Sequence, residues 1–289
     1  MSYRIARDLE EALQLLREGR GSARIIAGGT DLFLQDLPEA LVDLSGTPET
    51  LGICAEEEML IIGACVTHAE AAASPLLQEG ATVLAEACGQ VGSPQVRHAG
   101  TLGGNVVNAA PAADAAVGLV AMGARAVIVD TADARRQEAV ENLYADYNRS
   151  RVDSSREILL HFAMRKHGPG EGSAFKRFAS RKSLSLPMFS VAAVVRLEQG
   201  LLQEVRLVAA PVKPAPTRLP QVEQRLQGLP ASGDTWRLAG ELVREAVTVR
   251  GSTLRCTAEY RRHLAGVLAE RALQEAARRA AGLKAGESK

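Results

Sequence analysis

The first 50 residues have a hydrophobic pattern that predicts a small α/β unit. Asp8 and Glu11 have the spacing of a helix capping box, and the apolar residues behind them recur at helical spacing until Gly19. Short apolar runs at 23–27 and around 40–44 predict two strands with a Gly-rich turn between them. This order superficially resembles a dinucleotide-binding fold. The Rossmann spacing G-x-G-x-x-G is absent, so we set that fold aside.

The segment from residue 50 to 165 has a mixed pattern that predicts a sheet with helices placed against it. Apolar runs on either side of an acidic triplet predict a hairpin over 52–64. Thr67 and Glu70 form a second capping box, which begins a short helix. His68 lies in the first turn of this helix, where we expect a surface or capping residue. The pattern further predicts helices over 81–91 and 115–122, a strand over 124–130 and a polar return over 135–141.

A loop rich in Gly and Pro, residues 166–172, marks the next boundary, and a strand-rich segment follows it. Apolar runs predict three strands there, over 175–180, 187–197 and 201–210. Two helices are expected after several prolines. The pattern therefore predicts that the segment after residue 172 forms a domain of three strands backed by helices. The last residues, 284–289, are expected to be frayed. One face of the final helix, which starts near Ala258, carries Tyr260, Leu264, Val267, Leu268 and Ala272.

The composition is that of a globular protein, and it serves mainly to exclude some classes of function. The chain has 289 residues, of which 46% are hydrophobic and 24% charged, and its formal net charge is zero. The absence of a basic stripe argues against nucleic acid as a partner. No apolar run approaches the ~18 to 20 residues of a membrane span, and the N-terminus lacks an apolar signal core. We therefore expect a cytoplasmic protein.

The cysteines do not form a metal-binding pattern. Cys54, Cys65, Cys88 and Cys256 are widely spaced, without a Cys-x-x-Cys pair or a neighbouring His pattern. A zinc site or an iron–sulfur cluster within this chain is therefore not expected. We interpret these residues as reduced, partly buried thiols.

Two Gly-rich stretches carry the candidate chemistry. AGGTDL occupies residues 27–32 after an apolar run, and RHAGTLGGNVVNAAPAAD occupies residues 97–114. Consecutive glycines permit positive φ and a close backbone approach, so their amide N–H groups can converge on an anion. Two such turns can hold a pyrophosphate from two sides, and Gly104 is expected to lie in this cradle with positive φ. The alternative is an ordinary Gly-rich turn between two strands.

Five segments in order resemble the FAD-binding medium subunit of molybdenum hydroxylases, the family of xanthine dehydrogenase and carbon monoxide dehydrogenase. Together they cover nearly the whole chain. The segments are AGGTDL, QVRHAGTLGGNVVNAAPAAD, EILLHF at 157–162, FKRFASRKSLSLPMFSVAAVV from Phe175, and AEYRRHLAGVLAERAL near the end.

The resemblance implies an α+β fold in two parts. Residues 1–165 would form an FAD-binding domain of the vanillyl-alcohol-oxidase (PCMH) type, with subdomains of about 1–50 and 51–165. Residues 172–284 would form a C-terminal domain similar to that of the carbon monoxide dehydrogenase flavoprotein, with three strands backed by helices.

The resemblance also implies the residues of a cofactor site. The backbone of the first Gly-rich turn would bind the FAD pyrophosphate, and the second turn would approach it from the other subdomain. Asp114 would contact the adenosine or ribityl side, and Lys176 would lie near the flavin ring, where a cation stabilises an anionic reduced flavin. A surface lysine on an edge strand is the alternative for Lys176. The implied cofactor-binding residues are Ala27, Gly28, Gly29, Thr30, Asp31, Leu32, Thr101, Gly103, Gly104, Asn105, Asp114, Leu159 and Lys176.

Some features depart from the family pattern. His98 stands where Asn is usual, so a hydrogen bond there is expected to differ. The Cys and His attachment pattern of covalent flavoproteins is missing, so FAD should be bound non-covalently. Neither Gly-rich motif contains an aromatic residue, and a ring that shields the flavin would come from a neighbouring subunit or from Phe175, Phe178 or Phe189.

The resulting hypothesis is an electron-transfer subunit without catalytic or metal-binding residues of its own. A large molybdopterin subunit would oxidise the substrate, and a small subunit with 2Fe-2S clusters would pass electrons to FAD here and on to NAD or another acceptor. The rival hypothesis is a self-contained FAD-dependent oxidoreductase with a catalytic His, Tyr or Glu beside the flavin. A third is a flavin-binding assembly or sensor protein without turnover.

Overall fold

The computed structural model describes residues 1–181, 183–251 and 256–283, in which helices and strands mostly follow one another in runs of the same type. The predicted frayed end, 284–289, lies outside these residues. The strands are β1 (Ser2–Ile5), β2 (Ala23–Ile26), β3 (Ala40–Asp43), β4 (Ile53–Glu56), β5 (Met59–Gly63), β6 (Arg125–Asp130), β7 (Arg135–Ala139), β8 (Tyr144–Asp146), β9 (Arg149–Ser150), β10 (Glu157–Arg165), β11 (Glu171–Ala179), β12 (Pro187–Glu198), β13 (Leu201–Ala210) and β14 (Thr217–Arg218). The helices are α1 (Leu9–Gly19), α2 (His68–Ala73), α3 (Pro75–Gly80), α4 (Thr82–Gly89), α5 (Pro94–Ala99), α6 (Leu102–Val107), α7 (Asp114–Ala121), α8 (Pro220–Leu226), α9 (Gly233–Ala246) and α10 (Ala258–Ala280).

The N-terminal unit is a parallel sheet of three strands in the order β1-β3-β2, with α1 packed on it. The predicted start of α1 is confirmed, because the Asp8 side chain accepts a hydrogen bond from the Glu11 backbone amide. The reciprocal contact differs from a capping box, since the Glu11 carboxylate accepts from the Arg7 amide instead. Leu13 and Leu16 on the apolar face of the helix are buried.

A five-stranded antiparallel sheet with the order β4-β5-β10-β6-β7 forms the second unit. The predicted hairpin is β4 and β5, and the predicted polar return is the edge strand β7. Helices α4 and α7 pack against each other on this unit, and every residue of α7 is buried. A Cβ at Gly118 would lie 3.0 Å from the Leu84 Cα, so small residues allow the two helices to approach closely.

The segment after α4 differs from the prediction of a Gly-rich turn. It contains the short helices α5 and α6, and the Thr101 side chain caps α6 by accepting a hydrogen bond from the Gly104 amide at 3.1 Å. Gly103 and Gly104 therefore have helical backbones, and the expected positive φ at Gly104 is wrong. A side-chain oxygen at the N-cap compensates an amide that a helix start leaves without a partner, which lets two glycines sit in the first turn.

The C-terminal unit is an antiparallel sheet in the order β11-β12-β13-β14, with α10 packed along β11 and β12 and α8 against β13. Three long strands were predicted, and the two-residue strand β14 adds a fourth. Helix α8 precedes the two predicted helices. Tyr260 lies outside the buried face of α10, where its ring makes an edge contact with Phe178 at 6.4 Å between centroids.

Buried polar contacts and a shared core join the C-terminal sheet to the five-stranded unit. Asp114 at the start of α7 forms an ion pair with Arg177 of β11 at 2.8 Å, and the Ser190 hydroxyl donates to the same carboxylate at 2.7 Å. Burial raises the pKa of the Asp114 carboxyl to about 6, while Arg177 and Ser190 lower it, so the carboxylate depends on these partners at neutral pH. Phe175 and Val208 of the C-terminal sheet belong to the apolar core that fills the five-stranded unit.

The described ranges contain no helix with the length and apolar character needed to cross a membrane.

We expect Asp114→Asn to lower the free energy of unfolding of the FAD-free protein by about 3 kcal/mol, because it leaves the Arg177 charge buried without its counter-charge. Both side chains of the pair are about 5% exposed. The double variant Asp114→Asn/Arg177→Met should recover most of this loss. Chemical denaturation measures the free energy of unfolding of both variants. The control is Arg7→Ala, which removes an exposed ion pair with Glu11 and should leave the midpoint unchanged. An unchanged midpoint for the single variant would contradict this view of the domain junction.

Candidate functional site

A cleft of about 900 Å³ lies between the N-terminal unit and the five-stranded unit. This volume is in the upper part of the range of roughly 300 to 1,000 Å³ that is typical of small-molecule sites. Three segments form its walls. They are the loop 27–32 after β2, the region around the starts of α2 and α6, and the segment 148–155 before β10.

The first wall is the loop that follows β2. Gly29 has φ of +66°, a left-handed conformation that favours glycine, and the chain then enters a short 3-10 helix at Leu32–Leu34. Within the described part of the chain, none of the six backbone amides from Ala27 to Leu32 donates a hydrogen bond. A run of free amides along a cleft offers donors to an anion.

The two Gly-rich segments meet in direct backbone contact. A Cβ built at Gly28 would lie 1.8 Å from the Ala99 carbonyl oxygen and 2.9 Å from the Gly100 Cα. A Cβ at Gly100 would lie 3.4 Å from both the Thr30 hydroxyl and the His68 ring. Glycine at position 28 is therefore required by close approach, and we call the line of contact between loops 27–32 and 99–101 the seam.

The second wall contains α6, whose first backbone amides already donate hydrogen bonds within the protein. The amides of Leu102 and Gly103 donate to the carbonyl oxygens of Val66 and Ala64, at 3.0 and 2.8 Å. Gly103 thus packs α6 against the chain after β5, and the Gly104 amide donates to the Thr101 hydroxyl, so these amides differ from the second open cradle that the sequence predicted. The Asn105 side chain lines the cleft, and its Oδ1 atom is buried without a hydrogen-bond partner among the described residues.

His68 belongs to this wall, which corrects the prediction of a surface residue. Its side chain is 2% exposed, it lines the cleft, and its Nδ1 atom has no hydrogen-bond partner within residues 1–181, 183–251 and 256–283. Burial, with the Arg97 charge as the second cause, lowers the pKa of the His68 imidazole to about 4. The ring is therefore uncharged at neutral pH.

The third wall, residues 148–155, was missed by the sequence analysis. It comprises the turn between β8 and β9 and the loop before β10, and it includes Arg151. Arg24 of β2 also lines the cleft, so two cations face it together with Asp31, Asp153 and Glu157. The signal in the sequence is the run of turn-forming residues DYNRSRVDSS at 146–155, which carries no recognisable motif.

Most of the residues implied by the family resemblance come together in this cleft, although two of them do not line it. Asp114 is occupied by Arg177 and Ser190 at the domain junction. Lys176 lies on the edge strand β11 near Glu275, as in the alternative that the sequence left open. Their roles toward a cofactor stay predictions. The cleft is lined by Ala27, Gly28, Gly29, Thr30, Asp31, Leu32, Thr101, Gly103, Gly104, Asn105 and Leu159.

Other expected features also lie away from the cleft. The His98 ring bonds the Pro94 carbonyl oxygen within its own helix at 2.7 Å. Phe175 and Phe189 are buried in the two cores, and Phe178 packs on Tyr260, so none of the three shields the cleft. Phe33, which the sequence did not indicate as an aromatic residue of the site, directly follows the first loop and is 57% exposed.

The thiols are free in the described residues. Cys65 lines the cleft, and burial raises the pKa of its thiol to about 11, which keeps it protonated at neutral pH. Residues 1–181, 183–251 and 256–283 contain no group of three or more His, Cys, Asp or Glu side chains placed to hold a metal ion.

The residues of the cleft fit a dinucleotide such as FAD. The free amides of loop 27–32 are donors of the kind that binds diphosphate oxygens, and Arg24 and Arg151 add positive charge beside the carboxylates of Asp31, Asp153 and Glu157. Asn105 and His68 add polar atoms that lack partners in the part of the chain that the structure describes. Buried polar atoms without partners are rare in native proteins, so their position on one cleft indicates a polar ligand.

Comparisons with known proteins agree with this fit. Residues 1–164 match the family described as the FAD binding domain in molybdopterin dehydrogenase, and residues 173–276 match the CO dehydrogenase flavoprotein C-terminal domain. The chain is 29% identical to a xanthine dehydrogenase FAD-binding subunit of Escherichia coli O157:H7, over 97% of each chain. It is 27% identical to the carbon monoxide dehydrogenase medium chain of Hydrogenophaga pseudoflava, over 95% of this chain and 96% of that one.

A solved structure supports the same fold. Quinoline 2-oxidoreductase from Pseudomonas putida 86 superposes with a TM-score of 0.88 at 26% identity, over 97% of this chain and 98% of the other.

We expect Gly28→Ala to abolish stable binding of FAD, because the new methyl group cannot occupy a position 1.8 Å from the Ala99 oxygen and must open the seam. The control variant Gly233→Ala should keep its FAD, because Gly233 lies at the start of α9 outside the cleft and its Cβ would meet no atom within 4 Å. Flavin content after purification and titration of the FAD-free protein measure this difference. Equal flavin content in the two variants would show that the seam does not shape the site.

Proposed function

Because the chain belongs to the family of FAD-binding subunits of molybdopterin dehydrogenases, we propose that it is the electron-transfer subunit of a molybdenum hydroxylase complex. In this proposal electrons pass from 2Fe-2S clusters to FAD in the cleft and on to NAD or another acceptor. The observation that carries it is the wall of six free amides beside the seam.

The chain's own residues bind and orient the cofactor. Loop 27–32 holds the diphosphate through backbone amides, and Arg24 and Arg151 supply positive charge at the cleft. Thr101 and Asn105 present polar side chains from the second wall, and Leu159 adds an apolar contact from β10. When bound, FAD can exchange electrons singly or in pairs, which is the chemistry needed between one-electron clusters and a two-electron acceptor.

The relatives support a complex with other subunits. Two of the related chains are described as an FAD-binding subunit and a medium chain, and a third as a subunit of a 6-hydroxypseudooxynicotine dehydrogenase complex. The present chain spans nearly the full length of each. We infer a molybdopterin-binding large subunit and a 2Fe-2S small subunit as partners, working in the cytoplasm.

The self-contained oxidoreductase is the second candidate function, and His68 is the observation that favours it. An uncharged histidine in the wall of a cofactor cleft has the protonation state of a general base. Against this role, the ring lies at the seam near Thr30, beside the loop that would hold the diphosphate.

We predict that FAD is bound non-covalently. Cys65 and His68 both line the cleft, and the thiol is protonated at neutral pH, so we expect no flavin–protein bond. Acid precipitation of the flavin-loaded chain should release yellow FAD into the supernatant. Flavin that stays in the pellet would contradict the prediction.

We also predict that the flavin in the isolated chain is not reduced by substrate. Purines, aldehydes or aromatic CoA thioesters should bleach it negligibly in stopped-flow measurements, and adding the molybdenum and iron–sulfur subunits should make reduction by the complex's substrate fast. Dithionite is the control that shows the flavin is reducible. Rapid bleaching of the isolated chain by such a substrate would favour the self-contained enzyme.

A further inference from the structure

His68 is held rigidly at the seam by contacts of its backbone. Its amide donates to the Gly100 carbonyl oxygen at 3.0 Å, and Thr67 pairs with Thr101 in an isolated β-bridge. The reciprocal hydrogen bonds between Thr67 and Glu70 fix the start of α2. The imidazole therefore has a defined place between the two Gly-rich segments before any ligand binds.

The imidazole is also in an unfavourable environment for a side chain with no ligand. It is 98% buried, and its Nδ1 atom has no partner in the described residues. Leaving a buried polar atom without a hydrogen bond destabilises the folded protein, and an apolar side chain of similar size would avoid that cost. A structural role alone does not account for a histidine here.

The other buried polar atom without a partner in this region belongs to Asn105, which lines the same cleft. The other side chains with such atoms in the described residues, Glu141, Tyr144, Arg244 and Arg261, do not line it, and the Arg177 Nε atom is paired with Asp114. Both residues therefore border the space that one ligand would occupy, and the free amides of loop 27–32 favour the diphosphate-bearing part of that ligand beside the seam.

From this geometry we propose that His68 is a cofactor-binding residue whose neutral imidazole makes a hydrogen bond to FAD at the seam. The inference rests on the proposed function, since it takes FAD as the occupant of the cleft. It assigns to His68 a role in binding rather than in proton transfer to a substrate. Because folding of the empty protein leaves the ring unsatisfied, the hydrogen bond is completed only when the cofactor arrives.

The test compares variants of the full-length chain in which His68 is replaced by a side chain that mimics one of its two ring nitrogens or neither of them. The amide nitrogen of Asn can occupy the place of Nδ1, that of Gln can occupy the place of Nε2, and Leu offers neither. FAD dissociation constants are measured by fluorescence titration of the FAD-free proteins, and thermal midpoints are measured on the same samples. His167→Leu is the matched control, because His167 is also largely buried with a pKa lowered to about 4 but bonds Ser173 outside the cleft.

We expect His68→Leu to weaken FAD binding about tenfold while the midpoint of the FAD-free protein stays the same or rises. Either His68→Asn or His68→Gln should restore most of the affinity and so identify the nitrogen in contact with FAD. His167→Leu should lower the midpoint and leave the FAD affinity within twofold of wild type.

Equal FAD affinity in wild type and His68→Leu would overturn the inference and leave the proposed function standing. The inference would also fail if His68→Leu lowered the thermal midpoint as His167→Leu does and neither isostere restored binding, because His68 would then be structural. A wild-type chain that binds no FAD would instead refute the proposed function itself.

Discussion

The backbone contact at Gly28 is the constraint on which the site depends. Loop 27–32 belongs to a parallel sheet of three short strands, and the chain around Ala99 and Gly100 belongs to the helices of the antiparallel unit. Their carbonyl and Cα atoms lie so close that no side chain fits between them. The two units share no sheet, but they share a buried apolar core that includes Leu16 of α1 and Ile158 of β10, and the cleft is the space that remains beside the seam.

The two Gly-Gly pairs are therefore not equivalent, although they look alike in the sequence. At Gly28 and Gly29 the missing side chains permit a close approach and a left-handed turn, and the amides remain free. At Gly103 the missing side chain lets a helix pack against the Ala64 backbone, with the amide satisfied. A Gly-Gly pair in a sequence indicates a close contact with the backbone, but it does not show whether a ligand or another part of the protein makes that contact.

Much of the fold could be predicted because its elements have local causes. The Asp8 cap of α1, the hairpin before α2 and the long strands of the C-terminal sheet were readable from spacing alone. The third wall of the cleft could not be predicted, since residues 148–155 have no periodicity and are placed by contacts with distant segments such as Ala109. The burial of His68 was missed for the same reason: a helix start is normally exposed, and here tertiary contacts such as the one with Gly100 cover it.

The shared core across the domain junction has a consequence for how the chain can be divided. Phe175 and Val208 lie in the C-terminal sheet, yet they complete the apolar interior of the five-stranded unit. Cutting the chain in the loop 166–170 would expose both faces of that contact to water and leave Asp114 without Arg177. Sequence comparison thus distinguishes the two family segments, but we expect neither of them to be stable when it is separated from the other. A chimera of one relative's first segment with another's second would therefore have to rebuild this shared interior at Phe175 and Val208.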